Sequence, residues 1–242
     1  MEAEADEELQ GTLESLDDAV NYADWIVHLL GPYLDGRILE IGAGHGTMSE
    51  RLARFGPLTA SEPSESAHAV LNSRFDLDDG ISVLRADALG AVDGRSFDAI
   101  VMINVLEHIE DDAGTVEALA GSLNPQGHLV LYVPAFPLLY SKFDRRIGHH
   151  RRYRRRGLVQ LLRDAGLELV ETRYVNLPGA ILWFLSARLL RMTPTRRWSA
   201  ILYDRVAVPV VRRVEAVLPI PFGQSLLCVG RRSDPALGRI DA

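Results

Sequence analysis

The chain has 242 residues, 47% of them hydrophobic and 24% charged, which predicts a globular protein large enough to bury a full core. Its net charge is −7, and its acidic first residues differ from the basic start of a secretory signal, so we expect a cytoplasmic protein. The single Cys228 excludes an internal disulfide and a multi-cysteine metal site, and we expect no metal.

The first half of the chain predicts an alternation of strands and helices. Residues 12–34 have apolar positions at helical spacing. Short apolar stretches then predict five strands at 37–41, 57–61, 81–86, 97–104 and 127–133. Helical patterns lie between them at 46–55, 64–74 and 111–123. Strands that alternate with helices indicate parallel pairing with helices on both faces of the sheet.

After residue 135 the pattern changes. Residues 137–156 resemble an arginine-rich loop, followed by a predicted helix at 157–165 and a strand at 167–174. About 48 residues, 177–224, contain two apolar helical stretches before a last strand at 225–231. We therefore predict one domain over 1–242, with a helical cap (1–34), a cofactor-binding core (35–135) and an acceptor side (136–242). Its sheet would have seven strands, with a helical insertion before the last.

A glycine-rich turn follows the first strand of the core. Gly42, Gly44 and Gly46 stand at the junction with the next helix, and Glu40 precedes them. Glycine permits a sharp turn and close approach of a ligand, and the amides that open a helix suit a carboxylate. The G-x-G-x-G spacing differs from the dinucleotide-binding fingerprint.

Acidic or amide side chains also end the next three strands. Glu62-Pro63 suits the two hydroxyls of a ribose, and Asp87-Ala88 suits an adenine amino group. Asn104-Val105 ends the fourth strand. Because open α/β sheets bind ligands at the carboxyl ends of their strands, these positions predict one shared site.

The segments Leu39–Gly46 and Asn104–His108, together with Glu62 and Asp87, resemble class I S-adenosylmethionine-dependent methyltransferases of the small-molecule branch. The resemblance covers roughly residues 20–175 and implies a Rossmann-like, mostly parallel sheet. Residues 225–230 resemble that family's antiparallel last strand. A nucleic-acid amino-methyltransferase would have an Asn/Asp-Pro-Pro-Tyr/Phe run after the fourth strand, where this chain has Asn104-Val-Leu-Glu.

The resemblance implies S-adenosylmethionine as cofactor. It assigns the methionine part of the pocket to the glycine turn, the ribose to the second strand end, the adenine to the third, and the wall beside the sulfonium to the fourth. The implied cofactor-binding residues are Glu40, Gly42, Ala43, Gly44, Gly46, Glu62, Pro63, Asp87, Ala88, Asn104 and Val105.

The acceptor is expected beside residues 141–153, which follow the fifth strand. An imidazole is suited to deprotonating an oxygen or nitrogen near neutral pH. His149 and His150 are therefore the candidate catalytic bases, with Tyr153 and Asp144 in support. The alternative is that these residues only fix the loop. We expect His108 to be structural, and leave open whether Tyr22 and Trp25 form a lid or pack.

The basic residues are concentrated in the second half. Residues 1–125 contain 25 acidic and 6 basic side chains, whereas 126–242 contain 8 and 20. This asymmetry suggests an acidic partner or substrate. Residues 178–213 mix large apolar side chains with arginine, which fits a substrate cap, a homodimer face or peripheral contact with a membrane.

We therefore predict transfer of the methyl group of S-adenosylmethionine to a small-molecule or lipid-linked acceptor, possibly an acidic one. Two alternatives remain. One is an RNA methyltransferase that uses the arginine-rich residues 145–156, although a partner nucleic acid is not favoured because only Tyr153 offers stacking there. The other is a protein that binds the cofactor without catalysis.

Overall fold

A computed structural model describes residues 19–185 and 201–234. Seven strands form one sheet in the order β3-β2-β1-β4-β5-β7-β6. The strands are β1 (Ile38–Ile41), β2 (Leu58–Ser61), β3 (Ile81–Leu84), β4 (Phe97–Ile103), β5 (Leu123–Pro134), β6 (Leu167–Val175) and β7 (Ser225–Arg232). Strands β1 to β5 pair in parallel, whereas β7 is antiparallel to both of its neighbours. The predicted Rossmann-like α/β fold with its antiparallel last strand is confirmed.

Helices cover both faces of this sheet. They are α1 (Val20–Leu30), α2 (Ser49–Leu52), α3 (Glu65–Phe75), α4 (Ala88–Val92), α5 (Asp112–Gly121), α6 (Lys142–Arg146), α7 (Arg155–Asp164), α8 (Leu177–Trp183) and α9 (Val208–Val217). Three short 3₁₀ turns, Gly31–Tyr33, Leu106–His108 and Pro137–Leu139, and a π-helical turn, Tyr203–Ala207, complete the described elements. None of these helices is long and apolar enough to cross a membrane.

The central strands are buried on both faces, which explains why they are apolar without alternation. In β4, Ile100 contributes to one hydrophobic cluster and Val101 to the other, and both are fully buried. Successive side chains of a strand point to opposite faces, so each strand supplies both clusters. Trp25 and Ile26 of α1 are buried in the second cluster. The core is therefore a sheet enclosed between two helical layers.

One predicted loop and one predicted strand boundary were wrong. The segment 137–156 contains helix α6, which begins with a capping box in which Ser141 and Asp144 bond each other's backbone amides. Strand β5 begins at Leu123 and not at 127. Gln126 takes a positive φ of 66° and the register against β4 shifts there, so the first residues of the strand do not share the regular apolar pattern of the rest. The part of the predicted first helix before residue 19 lies outside the described residues, as does 186–200 of the insertion. The division into cap, core and acceptor side stays a prediction.

The insertion between β6 and β7 is tied to the rest of the chain by two buried carboxylates. Asp204 accepts hydrogen bonds from the backbone amides of Asn21 (3.1 Å) and Tyr22 (2.8 Å), the first turn of α1. Glu215 accepts from the amides of Asn176 and Leu177, both at 2.9 Å, where α8 begins. These bonds satisfy amides that a helix leaves unpaired at its start, and they hold α1 against the π-helical turn and the start of α8 against α9.

Candidate functional site

A cavity of about 570 Å³ lies at the carboxyl ends of the parallel strands. It is bordered by the glycine turn after β1, by the ends of β2 and β4, and by residues 143–152. Strands β2 and β4 lie on opposite sides of β1, so the crevice opens where the strand order reverses. Its volume is in the range of a site for a small ligand.

The glycine turn after β1 packs closely against the end of β4. Gly42 has a φ of +70° and Gly44 a φ of +56°, a left-handed conformation that glycine adopts without strain. A Cβ on Gly42 would lie 2.5 Å from Cγ2 of Val105. The turn after β1 and the end of β4 therefore touch, and only glycine permits this contact.

Two buried glutamates support the turn in different ways. Glu62 accepts the backbone amide of Gly44 through Oε2 and that of Ser64 through Oε1, both at 2.9 Å. Glu40 accepts the hydroxyl of Ser49 at 2.5 Å, and burial raises its pKa to about 7. Glu62 borders the cavity, whereas Glu40 lies behind the turn.

Most of the residues expected to bind the cofactor line this one cavity. They are Gly42, Gly44, Glu62, Pro63, Asp87, Ala88, Asn104 and Val105. Glu40, Ala43 and Gly46 do not line it. Ala43 belongs to the hydrophobic core, and a Cβ on Gly46 would collide with Phe75, so Gly46 serves packing. One carboxylate oxygen of Asp87 is already engaged, because it caps α4 through the amide of Gly90 at 2.8 Å.

The other end of the cavity is organised around Asp144, which is fully buried. Its Oδ1 accepts from Nε of Arg152 and contacts Nη2, both at 2.7 Å, and lies 3.2 Å from Nδ1 of His149. Its Oδ2 accepts the amide and hydroxyl of Ser141. Burial alone would raise the pKa of Asp144, but the hydrogen bond with His149 and the charge of Arg152 lower it overall. Asp144 is therefore a carboxylate that orients the His149 ring.

The structure separates the catalytic candidates. His149 lines the cavity and is held by Asp144, whereas His150 is exposed and does not line it. The hydroxyl of Tyr153 donates to Asp112 (2.9 Å) and also lies 3.2 Å from the carbonyl oxygen of Leu106, outside the cavity lining. Burial raises the pKa of Tyr153 far above its usual value. Only His149 of these three is positioned to face a bound molecule.

Glu107 also borders the cavity, and it was not among the expected site residues. It is 0% exposed, and neither carboxyl oxygen has a hydrogen-bond partner within residues 19–185 and 201–234. Burial raises its pKa to about 8, although its own backbone amide and the positive charge of Arg152 act in the opposite direction. Neighbouring His108 contacts the His149 ring edge-on at 4.5 Å between centroids, and burial lowers its pKa to about 4.

One potential ligand atom each of Glu107, His108 and His149 lies within 4.8 Å of the others. We do not assign them as metal ligands. Nδ1 of His149 is engaged with Asp144, and the buried guanidinium of Arg152 would repel a cation in the same cluster.

Aromatic side chains complete the wall. Trp183 of α8 contacts Phe143 edge-on at 5.5 Å, and the Arg152 guanidinium lies 4.9 Å from the Trp183 ring centroid. Tyr22 of α1 also borders the cavity, and its hydroxyl lies 2.9 Å from that of Tyr132. Trp25 is 1% exposed in the core. Of the two lid candidates, Tyr22 borders the site and Trp25 packs.

Comparisons with known proteins find similarity to methyltransferases. The sequence model of a family described as "methyltransferase domain" matches residues 15–172. The chain is 33% identical over 111 residues to the ubiquinone biosynthesis O-methyltransferase of Ralstonia nicotianae, which covers 44% of this chain and 46% of that protein. It is 34% identical over 119 residues to the mitochondrial enzyme of the same name from Schizosaccharomyces pombe, covering 47% and 43%. The chain thus matches less than half of the length of these curated relatives.

Solved structures share the fold at low identity. One is the methyltransferase in complex with the Trm112 methyltransferase activator of Haloferax volcanii, with a TM-score of 0.63 and 19% identity over 93% of this chain and 96% of that one. Another is an S-adenosylmethionine-dependent methyltransferase of Archaeoglobus fulgidus, with a TM-score of 0.57 and 15% identity over 87% and 94%. Likeness at this identity extends to the fold alone.

Proposed function

Because this chain belongs to the methyltransferase domain family, matched over residues 15–172, we propose that it methylates a small-molecule or lipid-linked acceptor with S-adenosylmethionine. One observation carries the proposal: a single cavity joins the glycine turn and Glu62 to the Asp144–His149 pair. A ligand site and a candidate base therefore face the same space.

The residues of the cavity fit S-adenosylmethionine. The backbone around Gly42 and Gly44 would accommodate the amino-acid part, because both glycines line the cavity and carry no side chain to fill it. Glu62 would accept the ribose hydroxyls, and the free oxygen of Asp87 an adenine amino group. When bound, the cofactor supplies an electrophilic methyl group on a positively charged sulfur.

The chain's own contribution to the reaction would be alignment and proton removal. Methyl transfer is an in-line displacement, so positioning of the acceptor supplies much of the rate. Trp183 and Phe143 would hold an apolar part of the acceptor. With Nδ1 of His149 donating to Asp144, Nε2 would be free to take the acceptor's proton.

The Glu62→Ala variant tests the cofactor site. We expect binding of S-adenosylhomocysteine to weaken about 10–100-fold, because hydrogen bonds to a charged group contribute about 1.5–3 kcal/mol. Calorimetric titration would measure this loss. Glu65→Ala is the matched control, since Glu65 is an exposed acid paired with Arg85 outside the cavity. Unchanged binding in Glu62→Ala, or tighter binding of NAD than of S-adenosylhomocysteine, would contradict the assignment.

The arginine-rich segment gives little support to an RNA substrate. Arg151 contacts Asp112 at 2.7 Å, Arg152 is buried against Asp144, and Arg155 lies over the Tyr174 ring at 4.9 Å. These guanidinium groups are engaged within the protein, so less of the segment's charge faces outward than its composition suggests. The intact Asp144–His149 pair likewise disfavours a protein that binds the cofactor without catalysis.

The insertion presents an apolar face outward. Four exposed valines lie on one face of the helical segment that runs from the π-helical turn through α9. They are Val206, Val210, Val214 and Val217. The opposite face is buried and carries Asp204 and Glu215. Most surface helices have the reverse arrangement.

We propose that this face contacts an anionic lipid surface. Arg205, Arg212 and Arg213 are exposed on the same helical segment, and arginine beside apolar side chains suits the interface of an anionic bilayer. Exposed Phe184 and Leu185 follow Trp183, which borders the cavity. A lipid-linked acceptor would thus meet the site near the membrane.

Vesicle sedimentation tests the lipid contact. Basic residues are worth about 1 kcal/mol each near an anionic surface, so we expect binding to anionic vesicles that weakens with salt and is absent with neutral vesicles. Val210→Asp should abolish it. Leu77→Asp, at an exposed leucine outside the insertion, should leave it unchanged. Protein that remains in the supernatant at low salt would contradict the contact, and a salt-independent dimer would indicate that a second copy covers the face.

A further inference from the structure

Glu107 is a buried carboxyl group that neither the fold nor the proposed base accounts for. It is 0% exposed, and neither of its oxygens has a hydrogen-bond partner among the described residues. Burying a carboxyl group without a hydrogen bond is costly in free energy, so this position needs a compensating interaction. Because Glu107 lines the cavity, a bound molecule can supply that interaction.

The charged surroundings of Glu107 leave its oxygens available. Arg152 is a source of positive charge for Glu107; its Nε and Nη2 engage Asp144, whereas its Nη1 has no hydrogen-bond partner among the described residues. Asp144 is the negative group that opposes ionisation of Glu107. Nε2 of His149 lies 3.8 Å from Oε1 of Glu107, beyond hydrogen-bond distance, and Tyr153 bonds Asp112. Glu107 thus lies in the field of Arg152 and Asp144 without a hydrogen bond to any of these side chains.

The position of Glu107 also suits a positively charged ligand atom. It follows Asn104 and Val105, which border the same cavity and would form the wall beside the sulfonium. A positive charge in a buried site acts on a carboxyl group strongly, because little water screens it. An uncharged thioether in the same place would not act in this way.

We propose, on the basis of the proposed function, that Glu107 releases its proton when the sulfonium of S-adenosylmethionine binds and takes a proton back as that charge disappears. Glu107 would then distinguish the charged substrate from the neutral product, S-adenosylhomocysteine. It would also keep the cavity close to the same net charge throughout the reaction.

The proton balance of the cycle follows from this arrangement. The acceptor's O–H or N–H bond breaks and Nε2 of His149 takes the proton, while the bond to the methyl carbon forms and sulfur keeps the electron pair. The proton on His149 leaves to solvent, and Glu107, whose Oε1 lies 3.8 Å from Nε2 of His149 without a direct hydrogen bond, takes up a proton from solvent as the charge on sulfur disappears. Glu107 ends the cycle protonated, and gives this proton to solvent when the next sulfonium binds.

Calorimetry can test the proposal without knowledge of the acceptor. S-adenosylmethionine and S-adenosylhomocysteine are titrated separately at pH 7 in two buffers with different ionisation enthalpies, which gives the protons released on binding. We expect about one proton more with S-adenosylmethionine. Glu40, whose pKa is about 7, could also titrate, but both compounds carry the same amino-acid part, so its contribution cancels in the difference.

Two variants assign that difference to Glu107. Glu107→Gln should abolish it, whereas Glu110→Gln, an exposed glutamate on the same segment, should retain it. Equal proton release on binding of the two compounds to the wild-type protein overturns this inference but not the proposed function. That result needs no variant. A difference that persists in Glu107→Gln, or that disappears on treatment with EDTA, also overturns it. If neither compound binds, the proposed function itself fails, and the inference with it.

Discussion

Replacing His149 by alanine is expected to lower turnover about 10²–10⁴-fold, the usual contribution of a positioned general base. Binding of S-adenosylhomocysteine should change little, because His149 borders the end of the cavity opposite the glycine turn. Steady-state kinetics and calorimetry on the same preparation separate the two effects. The acceptor required for the assay can be sought by mass spectrometry of ligands retained by the purified protein.

Chemical rescue distinguishes a base from a structural histidine. Added imidazole should partly restore the turnover of His149→Ala, because it can occupy the vacated space and accept the proton. His28→Ala, at an exposed position on α1, is the control and should behave as the wild-type protein does. Equal losses of cofactor binding and thermal stability, with no rescue by imidazole, would instead show that His149 only fixes the loop.

Replacing Asp144 by alanine should cause a large loss of stability. Its removal leaves the guanidinium of Arg152, which is 3% exposed, buried without its carboxylate, and breaking such a pair typically costs about 3–5 kcal/mol. For a protein of this size that corresponds to a fall in Tm of roughly 6–20 °C. Thermal unfolding followed by circular dichroism would measure it. Asp164→Ala, at an exposed aspartate, should shift Tm by little.

The effect of Asp144 should depend on pH in a defined direction. The pKa of Asp144 is lowered in the folded protein, so its contribution to stability is complete above the usual aspartate pKa of about 3.9. It is lost as the pH falls towards the folded-state pKa. The difference in stability between wild type and Asp144→Ala should therefore shrink below about pH 4. A difference that is equally large at pH 3 and pH 7 would show that packing, and not the ion pair, carries it.

The parts of the site that were predictable from the sequence depend on local spacing. Gly42 and Gly44 follow a strand within a few residues, and Glu62, Asp87 and Asn104 end successive strands. Parallel pairing brings such positions to one edge of a sheet, so their convergence needed only the correct order of strands and helices. The fold was predictable for the same reason.

The parts that were not predictable depend on contacts between distant residues. Nothing in the sequence around Glu107 shows that both of its oxygens are buried, because that burial requires the segment 143–152 to fold over it. His149 and His150 are adjacent in sequence, and only the bond to Asp144 separates their roles. Helix α6 was missed although its capping residues, Ser141 and Asp144, are visible in the sequence.

The bonds between Asp204 and α1 have a consequence for how the chain folds during synthesis. The amides of Asn21 and Tyr22 leave the ribosome well before their acceptor, which is about 180 residues further along the chain. Strands β1 to β5 can assemble while that acceptor is still unmade, because their pairing involves no residue beyond 134. The nascent domain would thus pass through a stage in which strands β1 to β5 are paired and helix α1, which carries Tyr22 of the cavity wall, is not yet bound to Asp204. Docking of α1 is then a late event that depends on completion of the insertion.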